Sequence, residues 1–100
     1  MTNLNHTNYQ TFIASGTTLV EAWAPWCTQC PRMANILDQT APDLTGKVNI
    51  GKLDISENIE LAQTLGVTTL PTLLLYKNGK LVDQKTGIVT KPILTTWLAQ

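Results

Sequence analysis

At 100 residues, with 43% apolar and 14% charged side chains, the chain has material for one compact core and lacks the charge excess of a disordered segment. Seven basic residues balance seven acidic ones, which leaves no electrostatic footprint for nucleic acid or an anionic membrane surface. Only two cysteines, Cys27 and Cys30, and a longest apolar run of four residues, Leu73 to Tyr76, argue against a disulfide-stapled scaffold and a transmembrane span.

The opening stretch MTNLNHTNYQTF has neither a basic n-region nor an apolar h-region, so no signal peptide is read. Starting at Met1, the chain is expected to be a complete single domain over residues 1–100, working as a monomer in the cytoplasm, where thiols are kept reduced. A short strand is predicted near Leu4, after which Thr7 caps a helix over Asn8–Ala14 that Ser15 and Gly16 terminate. Thr18–Ala24, TLVEAWA, reads as a mostly apolar strand of the kind covered on both faces. From Cys27 to about Ala41 the apolar Met33, Ile36 and Leu37 recur at helical spacing, and Pro42 with Gly46 is expected to end that helix.

A strand follows at Val48–Ile55. Ser56 is a good N-cap for ENIELAQTL, with Ile59, Leu61, Ala62 and Leu65 as its buried stripe and Gly66 as its stop. Thr72–Lys77 and Lys80–Thr86 flank Asn78-Gly79, a strong hairpin signal, so these two strands run antiparallel. Thr90 then caps a last helix with Pro92 in its first turn, docking Ile93, Leu94, Trp97 and Leu98 on the sheet. The order is βαβ followed by ββα, an α/β arrangement around a mixed sheet.

The two cysteines are three positions apart, so a bridge between them closes almost no loop and removes little unfolded-state entropy. Their place, at the start of a helix just after a strand, has a chemical rationale instead. Unsatisfied N–H groups and the positive end of the helix dipole stabilise a thiolate there, and the second sulfur is near enough to resolve a mixed disulfide. On this reading Cys27 is the exposed nucleophile and Cys30 the more buried resolving thiol. Two other readings stand beside it: half of a metal site, which would need dimerisation because a metal takes about four ligands and the chain offers these two thiols and His6, and a pair of inert core thiols.

Trp23-Ala24-Pro25-Trp26-Cys27-Thr28-Gln29-Cys30, Leu70-Pro71-Thr72, Lys77-Asn78-Gly79 and Gly87 stand in the order and spacing of the thioredoxin family, and the chain resembles that family over nearly its whole length. The resemblance implies a thioredoxin fold, with a central mixed sheet flanked by helices on both faces, and dithiol–disulfide exchange with protein substrates. It also implies no bound cofactor, only a redox-active Cys27–Cys30 disulfide reduced indirectly by NADPH through a flavoprotein, thioredoxin reductase. Pro71 is then expected in a cis peptide with Leu70, beside a substrate-contacting surface of Trp26, Thr28, Gln29, Leu70, Pro71 and Gly87. Trp23 and Trp97 are assigned to the core.

Glu21 interrupts an apolar strand, and a carboxyl buried there has a raised pKa; the alternative is a solvated glutamate facing an edge. The resemblance makes it the proton acceptor for Cys30, with Lys52 as its neighbour. The family's commonest members carry Asp at this position, and the extra methylene of Glu21 moves the carboxyl. Three further departures bear on redox poise: Thr28-Gln29 in place of Gly-Pro, Pro31 in place of a lysine, and Asn35 in place of a helix-kinking proline. Pro31 lacks the N–H that would close a turn onto Cys27, so a distorted helix start is expected, with Arg32 carrying the positive charge about 100° further round. The leading reading is a general protein-disulfide reductase. The alternatives are a specialised oxidant, isomerase or dedicated reductase on the same fold, and a binding module that does not turn over.

Overall fold

Strand β2 (Thr17–Trp23) lies at the centre of a five-stranded sheet of order β1-β3-β2-β4-β5, and what covers its two faces sets out the rest of the fold. The computed structural model describes residues 1–99. β1 (Thr2–Leu4) runs parallel to β3 (Val48–Asp54), and β3 runs parallel to β2. β4 (Thr72–Lys77) and β5 (Lys80–Thr86) are each antiparallel to their neighbours, so the sheet is mixed. With strands on both edges and side chains packed on both faces, Thr18 through Ala22 are all buried. That is why β2 reads as a continuous run and not as an alternation.

Side chains alternate across the sheet. Leu19 of β2 and Leu73 and Leu75 of β4 face one layer, where α2 (Cys30–Leu44) supplies Met33, Leu37 and Leu44 and α4 (Lys91–Leu98) supplies Leu94, Trp97 and Leu98. Val20, Leu53, Leu74 and Tyr76 face the other layer, against Tyr9 and Ile13 of α1 (Tyr9–Ile13) and the partly buried Leu61 and Leu65 of α3 (Ile59–Leu65). In that second layer the Tyr9 and Tyr76 hydroxyls hydrogen-bond at 2.7 Å, and their rings meet edge to face with centroids 5.9 Å apart.

Several local expectations need correction. Asn5, not Thr7, organises the start of α1: its Oδ1 accepts the N–H groups of Thr7 at 2.8 Å and Asn8 at 3.0 Å. Pro42 does not end α2, which continues to Leu44. Asp38 and Pro42 are both exposed, so the hydrogen bond that Pro42 cannot donate is missing on the solvent side, while buried Leu44 anchors the last turn. Ser56 is not a cap, because its N–H and hydroxyl bond Asp54 Oδ1 at 2.9 and 2.6 Å, and α3 begins only at Ile59. Ile59 and Ile93, placed in the buried stripes of their helices, are 60% and 54% exposed. Each sits in the first turn of its helix, before that helix settles on the sheet.

Two glycines perform the turn functions expected of them. Gly66 caps α3 in the left-handed region, with φ of 72°. Asn78 and Gly79, at φ of 52° and 85°, make the primed turn that matches strand twist in a two-residue hairpin. The Asn78 side chain also accepts the Gly16 N–H at 3.0 Å, and Asn78 N–H donates to Gly16 O at 2.9 Å. The hairpin is thereby pinned to the loop before β2.

Candidate active site

The dithiol lies where β2 stops and α2 starts. After Trp23 the chain turns, with Cys27 N–H donating to Ala24 O at 3.0 Å, and Cys30 is the first residue of α2. The helix therefore starts three residues later than its apolar spacing indicates. Cys27 and Cys30 form a disulfide with a Cα–Cα distance of 5.4 Å. Cys27 is half-buried, whereas Cys30 is only 2% exposed, so an incoming group reaches Cys27 more readily. This difference follows from position: Cys27 is in the turn, and Cys30 is on the face of α2 that packs towards the sheet.

As expected, Pro31 closes no turn onto Cys27, and regular helix begins only at Cys30. Gln29 is the N-cap of α2, which puts Pro31 in the first turn, and the first amide to close a turn is that of Met33, bonded to Gln29 O at 3.2 Å. An N–H at Pro31 would have no partner within the helix, so the proline removes nothing there.

A cavity of about 320 Å³ joins the dithiol to the sheet, lined by Cys27 and Cys30 together with Glu21, Trp23, Pro31, Ala34, Asn35, Asp38 and Lys52. Glu21 is 0% exposed, which excludes a solvated edge glutamate, and neither carboxyl oxygen has a hydrogen-bond partner. Burial pushes its pKa up to about 7, the attraction of Lys52 works against that rise, and the repulsion of Asp38 adds to it. Glu21 and Lys52 are register partners in the parallel β2–β3 ladder. The Lys52 ammonium, however, lies 5.0 Å from the centroid of the Trp23 ring, a cation–π contact. Trp23 is accordingly half-buried and part of the site, which corrects its assignment to the core. Trp97 is buried as expected, its Nε1–H bonded to Asp83 Oδ2 at 2.8 Å.

The remaining expected site residues form a second group at the same end of the sheet. The Leu70–Pro71 peptide is cis. Thr72, the next residue, is the register partner of Ala22, which sets this peptide alongside the end of β2 from which the dithiol loop departs. Gly87, at φ of 80°, donates its N–H to Pro71 O at 2.8 Å, and the Thr72 hydroxyl donates to Thr69 O. Trp26 is 67% exposed, Thr28 and Gln29 are exposed, and Leu70 is half-buried. A larger groove of about 460 Å³ adjoins the dithiol cavity through Trp23 and Lys52 and contains His6, Asp54 and Glu57. It holds no thiol, so the smaller cavity is the one with exchange chemistry. Among the described residues no three His, Cys, Asp or Glu side chains stand together as a metal site.

Asp38 is a cavity residue that the sequence did not single out, while Asn35, noted there only for replacing a proline, lines the same cavity. A signal was present for Asp38: Cys30, Ala34 and Asp38 are spaced i, i+4, i+8 and so share one helix face.

Comparison with known proteins agrees with this geometry. The family model described as Thioredoxin matches residues 1–100. The chain is 40% identical to a thioredoxin of Haemophilus influenzae over 82 residues, covering 82% of this chain and 77% of that protein. It is 42% identical to a thioredoxin of Staphylococcus saprophyticus over 84 residues, covering 84% and 81%. A thioredoxin of Chlorobaculum thiosulfatiphilum is 38% identical over 89 residues, covering 87% and 82%. With a Cys27–Cys30 disulfide at the strand–helix junction of a matching fold, the chain belongs to the thioredoxin family and is a thiol–disulfide oxidoreductase that reduces protein disulfides.

Proposed function

We propose that this chain is a general, cytosolic protein-disulfide reductase, acting as a single monomeric domain in which Cys27 is the nucleophile, Cys30 the resolving thiol and Glu21 the proton acceptor. The observation that carries this reading is the shared cavity: both sulfurs and a buried, unpartnered carboxyl line one space. In the reductive direction, Cys27 thiolate attacks a substrate disulfide, forming a mixed disulfide and releasing one substrate thiolate. Cys30 then gives its proton towards Glu21 and attacks Cys27 Sγ. The Cys27–Cys30 bond forms, the Cys27–substrate bond breaks, and two electrons have passed from dithiol to substrate.

A carboxyl with a pKa near 7 suits that task, because it accepts and releases a proton close to neutral pH. Glu21, one methylene longer than Asp, lines the same cavity as both sulfurs, which supports giving it this role. Exposed Trp26, Thr28 and Gln29, with half-buried Leu70 and Gly87 at the same end of the sheet, supply the substrate-facing surface, and buried Pro71 supports it from beneath. A flavoprotein thioredoxin reductase drawing on NADPH returns the disulfide to the dithiol.

The test is a trap. Cys30→Ser should accumulate a covalent complex with a disulfide-bonded protein through Cys27, releasable by added thiol. Better trapping by Cys27→Ser with Cys30 intact would reverse the assignment. Equilibration against a thiol–disulfide buffer separates the general reductase from an oxidant or isomerase, since only a strongly reducing couple fits the first.

A further inference from the structure

A proton acceptor that turns over must also hold its proton and then lose it, and the charges around Glu21 govern both steps. The ionisable groups that line its cavity are Cys27 from the turn, Cys30 and Asp38 from α2 and Lys52 from β3. On its remaining side, β4 places uncharged Leu73 opposite Glu21. Neither Asp38 nor Lys52 bonds the Glu21 carboxyl. Lys52 is drawn to the Trp23 ring, and Asp38, exposed to solvent, stands two helical turns along from Cys30 on the same face of α2. A buried carboxyl thus faces one charge of each sign, both acting through the cavity without contact.

We propose that Asp38 is a positioning residue for the exchange reaction: at the solvent end of the cavity, its carboxylate holds the transferred proton on Glu21 until the second exchange is complete, against the pull of Lys52. This rests on the reading of Glu21 as the acceptor for Cys30. The step it governs is the one balanced above: the Cys30 S–H proton passes to Glu21, Cys30 thiolate takes Cys27 Sγ, and the substrate leaves as a thiolate. A negative charge on Glu21 is disfavoured by the Asp38 carboxylate lining the same cavity, because like charges repel and a buried carboxyl is only partly screened from its neighbours. Asp38 also contributes to the raised ionisation of Glu21, after burial.

The experiment follows the Glu21 carboxyl by 13C NMR and the rate of insulin disulfide reduction across pH, in the full chain. Asp38→Asn should move both midpoints to lower pH, Lys52→Gln to higher pH, and the double variant should fall between them, while Asp38→Glu restores the original profile. A shift of about 0.3 unit, a two-fold change in proton affinity, is the smallest that counts as support. Thermal unfolding of each variant checks that the exposed substitution leaves the fold in place. If Glu21→Gln removes the pH-dependent arm but Asp38→Asn leaves its midpoint unmoved, the role of Asp38 is refuted and that of Glu21 survives. If Glu21→Gln leaves the profile unchanged, the acceptor reading fails, and the Asp38 proposal fails with it.

Discussion

Glu21 and Lys52 are paired in register across the β2–β3 ladder, yet the lysine is spent on the face of Trp23, and both oxygens of the glutamate are left without a hydrogen bond. The fold thus keeps an acid buried at the cost of stability, which is a measurable quantity.

The first prediction concerns that cost. Glu21 has an ordinary value of 4.5 and a folded value of about 7. Between these the folded state binds more protons than the unfolded state, so stability must fall as pH rises. The loss begins near pH 4.5 and is complete above about 7. Its size is on the order of 3 kcal/mol. Urea unfolding of the oxidised protein at pH 5 and pH 8 should show this decline, and Glu21→Leu should abolish it and be the more stable protein at pH 8. A pH-independent difference between Glu21→Leu and the parent would sink the account.

A second prediction concerns the Tyr9–Tyr76 pair, whose hydroxyls are buried and partnered with each other at 2.7 Å. Burial pushes both phenols up, away from ionisation. Removing one hydroxyl strands the other, so Tyr9→Phe or Tyr76→Phe alone should cost about 1–3 kcal/mol. Removing both leaves two apolar rings in contact, and the double variant should be nearly as stable as the parent. Additive single effects in the double-mutant cycle would show that the hydroxyls do not depend on each other.

Trp26 supplies the third. At 67% exposure it contributes little to the core, so Trp26→Ala should change unfolding free energy by less than about 0.5 kcal/mol. As a substrate contact it should instead raise KM for a protein disulfide roughly five-fold, equivalent to about 1 kcal/mol, and leave a small-molecule disulfide such as oxidised glutathione unaffected. Equal losses on both substrates would mean that the indole acts on the dithiol and not on the protein partner.

What the chain spells out by itself is the set of local features. The strand bounds Thr72–Lys77 and Lys80–Thr86 were legible to the residue, because Asn78-Gly79 tolerates the positive φ of a primed turn as few dipeptides do. The same holds for the Gly66 stop of α3 and for the cysteine pair, whose spacing and place after a strand speak for exchange chemistry. Helix starts were less legible. Thr7 and Ser56 are good caps in isolation, and only the folded chain shows Asn5 and Asp54 taking those amides first.

The tertiary structure decided everything that depends on two elements meeting. No local pattern says that Lys52 leans on Trp23, that the helix face carrying Cys30 and Asp38 closes over Glu21, or that Ile59 and Ile93 face solvent while their neighbours in the same helices are buried. The physical reason is that burial and electrostatics are set by what lies across a gap, from strands and helices distant in sequence. A glutamate in an apolar strand announces an oddity, and only the packing of α2 over β2 makes it a sealed acid beside a dithiol.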